Sequence, residues 1–229
     1  MPTCAIIVGV GDGLSASLAR LFSAQGMSVV LAARNADKLN ALCDETGAMA
    51  VACDATVPAD VARLFDQAGR VQATTDVVVY NPSLRIGGAL VELDAEAVDE
   101  SLRITAYGAF LIAQQAARRM LTQGSGAILF TGASASIKGY PRSAPFAMGK
   151  FALRGLAQSM ARELAPQNIH VAHFVIDGGI RSDRRKPLVD EPDALLDPDA
   201  IAQSYLNVIN QHRSAWSWEV ELRPWTERF

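Results

Sequence analysis

Short, strongly apolar runs alternate along this chain with longer segments of helical periodicity, and this alternation restricts the possible folds more than any other feature. The apolar runs predict strands buried on both faces of a sheet, over residues 5–8, 28–32, 48–52, 76–80, 126–130 and 169–176. The helical patterns cover residues 14–25, 36–45, 59–69, 95–121, 146–164 and 199–211. Because parallel neighbouring strands need helical crossovers, the order predicts an α/β fold: a doubly wound, mostly parallel sheet with helices on both faces.

The domain organisation follows from length and pattern. The 229 residues contain no internal repeat, low-complexity tract or linker, so residues 1–229 are predicted to form a single domain. Residues 216–222 alternate between apolar and polar side chains, which predicts a last strand with one apolar face. Residues 178–198 are charged and lack periodicity. A loop of this length after a strand predicts a lid over a ligand, and the alternative is a solvated surface loop.

Composition and charge exclude several functions. A net charge of −3 offers no electrostatic reason for binding nucleic acid or an anionic membrane. The amino-terminal apolar stretch lacks a basic region, and no run approaches the ~20 apolar residues of a membrane span, so a cytoplasmic protein is expected. Cys4, Cys43 and Cys53 show no CxxC spacing, and His170 and His173 are predicted to point to opposite strand faces. No metal site is therefore expected.

A glycine-rich turn joins the first strand to the first helix. Gly9, Gly11, Asp12, Gly13 and Leu14 form this turn in the sequence. Glycines permit close approach of the backbone, and the free N–H groups of a helix N-terminus bind pyrophosphate. In this context a dinucleotide site is favoured over a purely structural turn.

The end of the second predicted strand bears on the choice of dinucleotide. Arg34 and Asn35 stand there without the acid that would accept hydrogen bonds from the ribose 2′-hydroxyl of NAD. Arg34 is suited to pair with a 2′-phosphate, although it is also compatible with an exposed position before a helix. The pattern favours NADP(H) over NAD(H).

With these features in order, the chain resembles the short-chain dehydrogenase/reductase family from the first strand to about Ser182. The resemblance rests on Gly9 and Gly13 with Ser15 at the third glycine's place, Asp54 after the third strand, and Asn81 in the family's Asn-Asn-Ala-Gly position. It implies a Rossmann-like fold. It also implies the following cofactor-binding residues: Gly9, Gly11, Asp12, Gly13, Leu14, Arg34, Asn35, Asp54, Ala55, Asn81, Pro82, Ser83, Lys150, Gly178, Ile180 and Ser182.

The catalytic positions implied by the resemblance are altered. In the family's Tyr-x-x-x-Lys motif, Lys150 is kept but Phe146 stands in the tyrosine position. Ala133 occupies the serine position with Ser134 next to it, and Thr105 occupies the asparagine position. Phenylalanine has no proton to give. Other groups that remain open as donors, besides water, are Tyr107, Tyr140, Ser134, Ser136, Ser143 and Lys138.

Two functions are compatible with this pattern. The first is an oxidoreductase that acts on a small-molecule substrate with a non-standard active site. The second is a catalytically impaired, dinucleotide-binding pseudo-enzyme that senses redox state or assists assembly. The resemblance also implies a homodimer or homotetramer packed through helices 95–121 and 146–164.

Overall fold

A parallel β-sheet forms the centre of the structure. The computed structural model describes residues 3–183, 185–188, 190–191 and 193–227, and within these ranges seven strands pair into one parallel sheet. The strands in chain order are β1 (Cys4–Val8), β2 (Ser28–Ala33), β3 (Met49–Ala52), β4 (Val77–Tyr80), β5 (Gly126–Thr131), β6 (Ile169–Ile176), β7 (Gly179–Ile180), β8 (Leu195–Leu196) and β9 (Glu219–Leu222). All strands except β7 and β8 belong to the large sheet.

The order of the strands creates a crevice. Across the sheet they run β3-β2-β1-β4-β5-β6-β9, so the chain moves outward from β1 to β3 and then returns to the other side of β1. Beyond the carboxyl ends of β1 and β4, the connections lead to opposite sides. In doubly wound folds this switch point is where ligands bind.

Helices cover both faces of the sheet. They are α1 (Leu14–Ala24), α2 (Asn40–Thr46), α3 (Pro58–Val71), α4 (Ala95–Leu102), α5 (Gly108–Gln123), α6 (Ala144–Leu164) and α7 (Pro198–Ile209). Apolar side chains of α3, α5 and α6 pack on one face, and those of α1 and α7 pack on the other. Since both faces are covered, the central strands consist of apolar side chains, as the continuous runs in the sequence predicted.

The helix predicted over residues 95–121 is interrupted by a π-helical turn, Arg103–Tyr107, and ends at Gln123. The buried Tyr80 accounts for the interruption, because its hydroxyl donates a 2.5 Å hydrogen bond to the carbonyl of Ile104. Gly108 follows the turn without a side chain, and a Cβ there would lie 2.6 Å from the Tyr80 hydroxyl. Sequence periodicity does not register such a tertiary contact.

Three other predicted elements differ in extent. The pattern over residues 36–45 begins as a 3₁₀ turn, Asp37–Leu39, before α2, because the Asn35 side chain accepts the Asp37 N–H. The strand predicted over residues 216–222 is limited to β9. The segment 178–198 was expected to be irregular, but β7 and β8 pair within it as a two-stranded parallel ladder. Its residues 184, 189 and 192 lie outside the described residues.

Two findings concern membrane and metal binding. None of the helices within the described ranges is long and apolar enough to cross a bilayer. The part of the chain that the structure describes also contains no cluster of three or more His, Cys, Asp or Glu side chains arranged for a metal ion.

The thiols of Cys4 and Cys53 are buried, and burial raises their pKa values to about 11 and about 12.

Candidate active site

The glycine turn after β1 is held by close contacts. Gly9 adopts a φ of +81°, which L side chains rarely adopt, and its N–H donates to the carbonyl of Ala32 at 2.9 Å. Pro82 at the end of β4 packs so closely that a Cβ on Gly9 would lie 2.6 Å from the proline Cγ. Only glycine fits at position 9, because the backbone has a positive φ and Pro82 leaves no room for a side chain.

A short hydrogen-bond chain joins β4 to α1 beneath the turn. The Asn81 amide donates to the Ser15 hydroxyl at 2.6 Å, and that hydroxyl donates to the Gly9 carbonyl at 3.1 Å. Ser15, at the place of the family's third glycine, thus has a positioning role. Gly13 precedes α1 and has no side chain to cap it, which leaves N–H groups of the first turn available to an anion.

Two cavities follow the carboxyl edge of the sheet, and Gly9, Asn81 and Ser83 line both. The smaller one, of about 320 Å³, lies at the ends of β2 and β3. The predicted cofactor residues that line it, besides the three shared ones, are Arg34, Asp54, Ala55 and Pro82. Asp54 also caps its own turn, because its carboxylate accepts hydrogen bonds from Thr56 N–H and Oγ1, both at 2.8 Å.

The larger cavity, of about 580 Å³, brings the glycine turn together with the altered catalytic positions. Its volume is typical of pockets for small ligands. The other predicted site residues that line it are Gly11, Asp12, Gly13, Leu14, Ser134, Phe146, Lys150, Gly178, Ile180 and Ser182.

Lys150 is the most unusual charged group of this cavity. Its side chain is buried, with 2% of the residue exposed, and Nζ donates a 2.7 Å hydrogen bond to the Thr131 carbonyl. Within the described part of the chain it pairs with no carboxylate. Burial lowers its pKa from 10.5 to about 7. A buried lysine with a lowered pKa at the wall of a cavity is a candidate functional residue.

Phe146 lies one helical turn before Lys150 on α6, where both line the cavity. The centroid of its ring is 5.8 Å from Lys150 Nζ and 5.5 Å from the guanidinium carbon of Arg85. Two cations therefore flank an aromatic ring at the position where the family resemblance places a phenol.

Of the six side chains that remain open as proton donors besides water, three have a place in the lining of the large cavity. Ser134, Tyr140 and Ser143 line the large cavity. Ser136 is buried elsewhere, where its hydroxyl accepts the Ala133 N–H, and Tyr107 stacks on Phe110 at the surface. The Lys138 ammonium lies over the Tyr140 ring and 3.8 Å from the carboxylate of Asp177, outside the cavity lining.

Two predicted site residues lie away from the cavities. Thr105, at the asparagine position, is completely buried in the π turn, where it packs against Gly149 and its hydroxyl accepts the Leu84 N–H. Asn35 uses its side chain to cap the 3₁₀ turn that follows it. Neither lines either of the two cavities, and each side chain accepts a backbone N–H instead, from Leu84 for Thr105 and from Asp37 for Asn35.

Sequence reasoning missed Arg85, Thr131 and the layer beneath Lys150. In this layer the Glu219 carboxylate on β9 binds Arg154 of α6 at 2.6 and 2.8 Å and His173 at 3.1 Å. The His173 ring abuts Gly132 in the cavity wall, and its burial lowers its pKa to about 4. The sequence carries no signal for these contacts, since they join residues far apart in the chain.

Comparisons with known proteins agree with this geometry. The family model described as "short chain dehydrogenase" matches residues 3–193. A crystal structure of a short-chain dehydrogenase from Rhodopseudomonas palustris superimposes with a TM-score of 0.85 at 34% identity, covering 97% of this chain and 99% of that one. A metagenomic short-chain oxidoreductase in complex with NADP gives 0.83 at 25% identity, covering 97% of both. An uncharacterized oxidoreductase of Staphylococcus aureus is 25% identical over 96% of both chains.

The chain belongs to the short-chain dehydrogenase/reductase family of oxidoreductases. The Rossmann-like fold implied by the resemblance is confirmed by the parallel sheet and its strand order.

Proposed function

We propose that the protein is an NADP(H)-dependent oxidoreductase with a non-standard active site, acting on a small carbonyl compound, the corresponding alcohol or an activated double bond. The observation that carries this proposal is Lys150. Its buried ammonium lies at the wall of a cavity that also contains an uncapped helix N-terminus and a tight glycine turn. A chain that had lost its ligand would gain stability by replacing such a lysine with an apolar residue.

The residues of both cavities fit a nicotinamide dinucleotide. Gly9 lies at both cavities within the tight turn, the first turn of α1 offers N–H groups to the pyrophosphate, and Asp54 and Arg34 border the smaller cavity. Lys150 would donate to the hydroxyls of the nicotinamide ribose. When bound, the nicotinamide supplies or accepts the hydride.

The proton that accompanies the hydride must come from a group other than Phe146. Within the described part of the chain, Ser134 and Ser143 have hydroxyls that make no hydrogen bond to protein, and both line the cavity. Either hydroxyl, or Tyr140, can pass a proton between a bound oxygen and solvent. Such a donor is weaker than a phenol beside a lysine, so turnover is expected to be slow.

Calorimetry and steady-state kinetics test the proposal together. The purified protein is expected to bind NADPH and to oxidise it when a panel of small carbonyl compounds is supplied. Absence of NADPH binding would contradict both the enzyme and the pseudo-enzyme. Binding without oxidation of NADPH for any compound would contradict the enzyme and support the pseudo-enzyme.

Arg34 is the residue on which the preference for NADP(H) depends. It is exposed at the rim of the smaller cavity, where a 2′-phosphate would form a charge-assisted pair with its guanidinium. For Arg34→Glu, calorimetry is expected to show NADPH binding weakened about 10- to 100-fold, with NADH binding unchanged or tighter.

A matched control is Arg70→Ala, which removes an exposed arginine at the end of α3, far from both cavities, and is expected to change neither affinity. Equal weakening of NADPH and NADH by Arg34→Glu would show that Arg34 does not read the 2′-phosphate.

We also propose that two copies of the chain associate through the surface that contains the π turn, α5 and α6. Large apolar side chains are partly exposed there: Tyr107, Phe110, Met148 and Phe151. Sedimentation is expected to give a mass of at least twice 24.4 kDa for the wild type. Phe110→Asp is expected to shift the protein toward monomer.

Val91→Asp is the control for this experiment, because Val91 is 94% exposed but lies outside these helices. A wild-type monomer, or an equal shift by both variants, would overturn the proposed interface.

A further inference from the structure

The large cavity carries an excess of positive charge. Among its described lining residues, Arg85, Lys150 and Arg185 are basic, and Asp12 is the carboxylate. Lys150, with its pKa lowered to about 7 by burial, is only partly protonated at neutral pH. A cleft lined mainly by one sign of charge attracts ligands of the opposite sign. Part of this charge suits the phosphates of a cofactor. The three basic residues, however, lie in different parts of the cavity wall.

Lys150 and Asp12 belong to the cofactor side of the cavity. Asp12 is part of the glycine turn, and Lys150 Nζ is already bonded to the Thr131 carbonyl. Arg85 lies instead on the segment that follows β4, with its guanidinium over the Phe146 ring. Phe146 stands at the position from which the family delivers a proton to substrate, so Arg85 borders the substrate side.

Arg85 has an aromatic contact but no anionic partner. Within the described ranges its guanidinium forms no ion pair and no hydrogen bond. A guanidinium that rests on an aromatic ring is oriented by that contact, while its N–H donors remain available in a planar fork that matches the two oxygens of a carboxylate. The Arg85 guanidinium is thus held at the cavity by the Phe146 ring, and no anionic group of the described protein pairs with it.

We propose that Arg85 binds the carboxylate of the substrate, which makes the substrate class small carbonyl compounds that carry a carboxylate. This inference rests on the proposed function, because it assigns the substrate of the same site. Phe146 contributes the apolar surface on which the Arg85 guanidinium rests. The ring that replaces the family's phenol therefore also positions Arg85. Arg85 acts on binding and takes no part in the proton transfer.

Matched pairs of acids and esters test this assignment. The probes are 2-oxobutanoate, 3-oxobutanoate and 4-oxopentanoate, each compared with its methyl ester, in NADPH-oxidation assays of wild type, Arg85→Ala, Arg85→Lys and Arg70→Ala. For at least one pair, kcat/KM is expected to favour the acid about 10- to 100-fold in the wild type. Arg85→Ala is expected to abolish that ratio because it lowers kcat/KM much more for the acid than for the ester.

The two remaining variants check the geometry. Arg85→Lys keeps the charge without the planar fork and is expected to retain part of the ratio, whereas Arg70→Ala is expected to leave it unchanged. Calorimetry of the same acids and esters with the NADP⁺-saturated protein measures binding without turnover, and Arg85→Ala is expected to weaken binding of the acid by the same factor. NADP⁺ affinity itself is expected to be unaffected by Arg85→Ala.

Several outcomes would overturn the inference. These are equal use and equal binding of acid and ester in every pair, or a ratio that persists in Arg85→Ala. A loss of NADP⁺ affinity in that variant, with no change in the acid-to-ester ratio, would make Arg85 a cofactor ligand instead. In all these cases the wild type still binds NADPH, whereas failure of the proposed function appears as the absence of NADPH binding or of turnover with every probe.

Discussion

Replacing Lys150 with methionine is expected to reduce NADPH oxidation to background and, at the same time, to stabilise the fold at neutral pH. Activity falls because the variant loses the ammonium at the cavity wall. Stability rises because methionine fills the same buried space without a charge to desolvate. The opposite directions of the two effects are typical of a residue retained for function.

The lowered pKa of Lys150 sets the size of the expected gain in stability. A fall from 10.5 to about 7 corresponds to at most roughly 5 kcal/mol against folding at low pH. In the variant the Thr131 carbonyl loses its partner, which costs about 1–3 kcal/mol. The difference leaves at most about 2–4 kcal/mol in favour of Lys150→Met, measured as the free energy of unfolding in denaturant titrations.

The pH dependence of this difference has a definite sign. Below pH 7 the lysine is protonated in the folded and unfolded states, so the cost is complete and the variant's advantage is largest. Between pH 7 and 10.5 the unfolded chain binds more protons, and the wild type gains stability until the advantage is lost. The buried thiols of Cys4 and Cys53 also titrate in the alkaline range, but they are common to both proteins and cancel.

Lys38→Met provides the control, because Lys38 is exposed and is expected to change neither activity nor the pH profile. If Lys150→Met were less stable than the wild type at pH 7, or if its advantage did not vary up to pH 10.5, the assignment of a desolvated lysine would be wrong. Unchanged NADPH oxidation in this variant would contradict the proposed role of Lys150 in the site.

The second large effect is a gain of function. Phe146→Tyr is expected to increase the rate of carbonyl reduction by about 10²–10⁴-fold, which is the usual contribution of a positioned general acid. The position for this acid is already present on α6, because the Phe146 ring lines the cavity and Lys150 Nζ is 5.8 Å from the ring centroid. The nearby ammonium would lower the pKa of the new phenol and favour proton transfer.

Steady-state kinetics with the carbonyl panel measure this gain. Phe146→Leu is the control, because it changes the ring without adding a hydroxyl and is expected to give no increase. Combining Phe146→Tyr with Lys150→Met is expected to remove the gain. If Phe146→Tyr bound NADPH normally but was no faster than the wild type on any compound, the missing phenol would not be what limits the rate.

Much of the architecture could be predicted from local patterns. The strands and helices fall within a few residues of their predicted positions, because burial on both faces produces apolar runs and amphipathic helices produce a 3.6-residue period. The exceptions depend on contacts across the fold. The π turn at Arg103–Tyr107 depends on the Tyr80 hydroxyl, and the pairing of β7 with β8 joins residues 16 positions apart.

The site was only partly accessible to such reasoning. The glycine turn is local, and Gly9 through Gly13 could be located from their place between a strand and a helix. The contacts of Lys150 with Thr131 and of Arg85 with Phe146 each join different elements, so local patterns do not reveal them. The burial of Lys150 likewise arises only from packing. Of the candidate side-chain proton donors, Ser134, Tyr140 and Ser143 line the large cavity, and this can be seen only when the side chains are placed in the fold.

By itself, the sequence determined the α/β class, the site of the dinucleotide turn and the absence of a phenol at position 146, because these depend on periodicity, on glycine and on residue identity. The tertiary structure decided which side chains meet. It placed Lys150 where burial lowers its pKa, removed Thr105 from the cavity and added Arg85 to it. Charge, burial and distance arise only when separate strands and helices pack together, and on these the chemistry of the site depends.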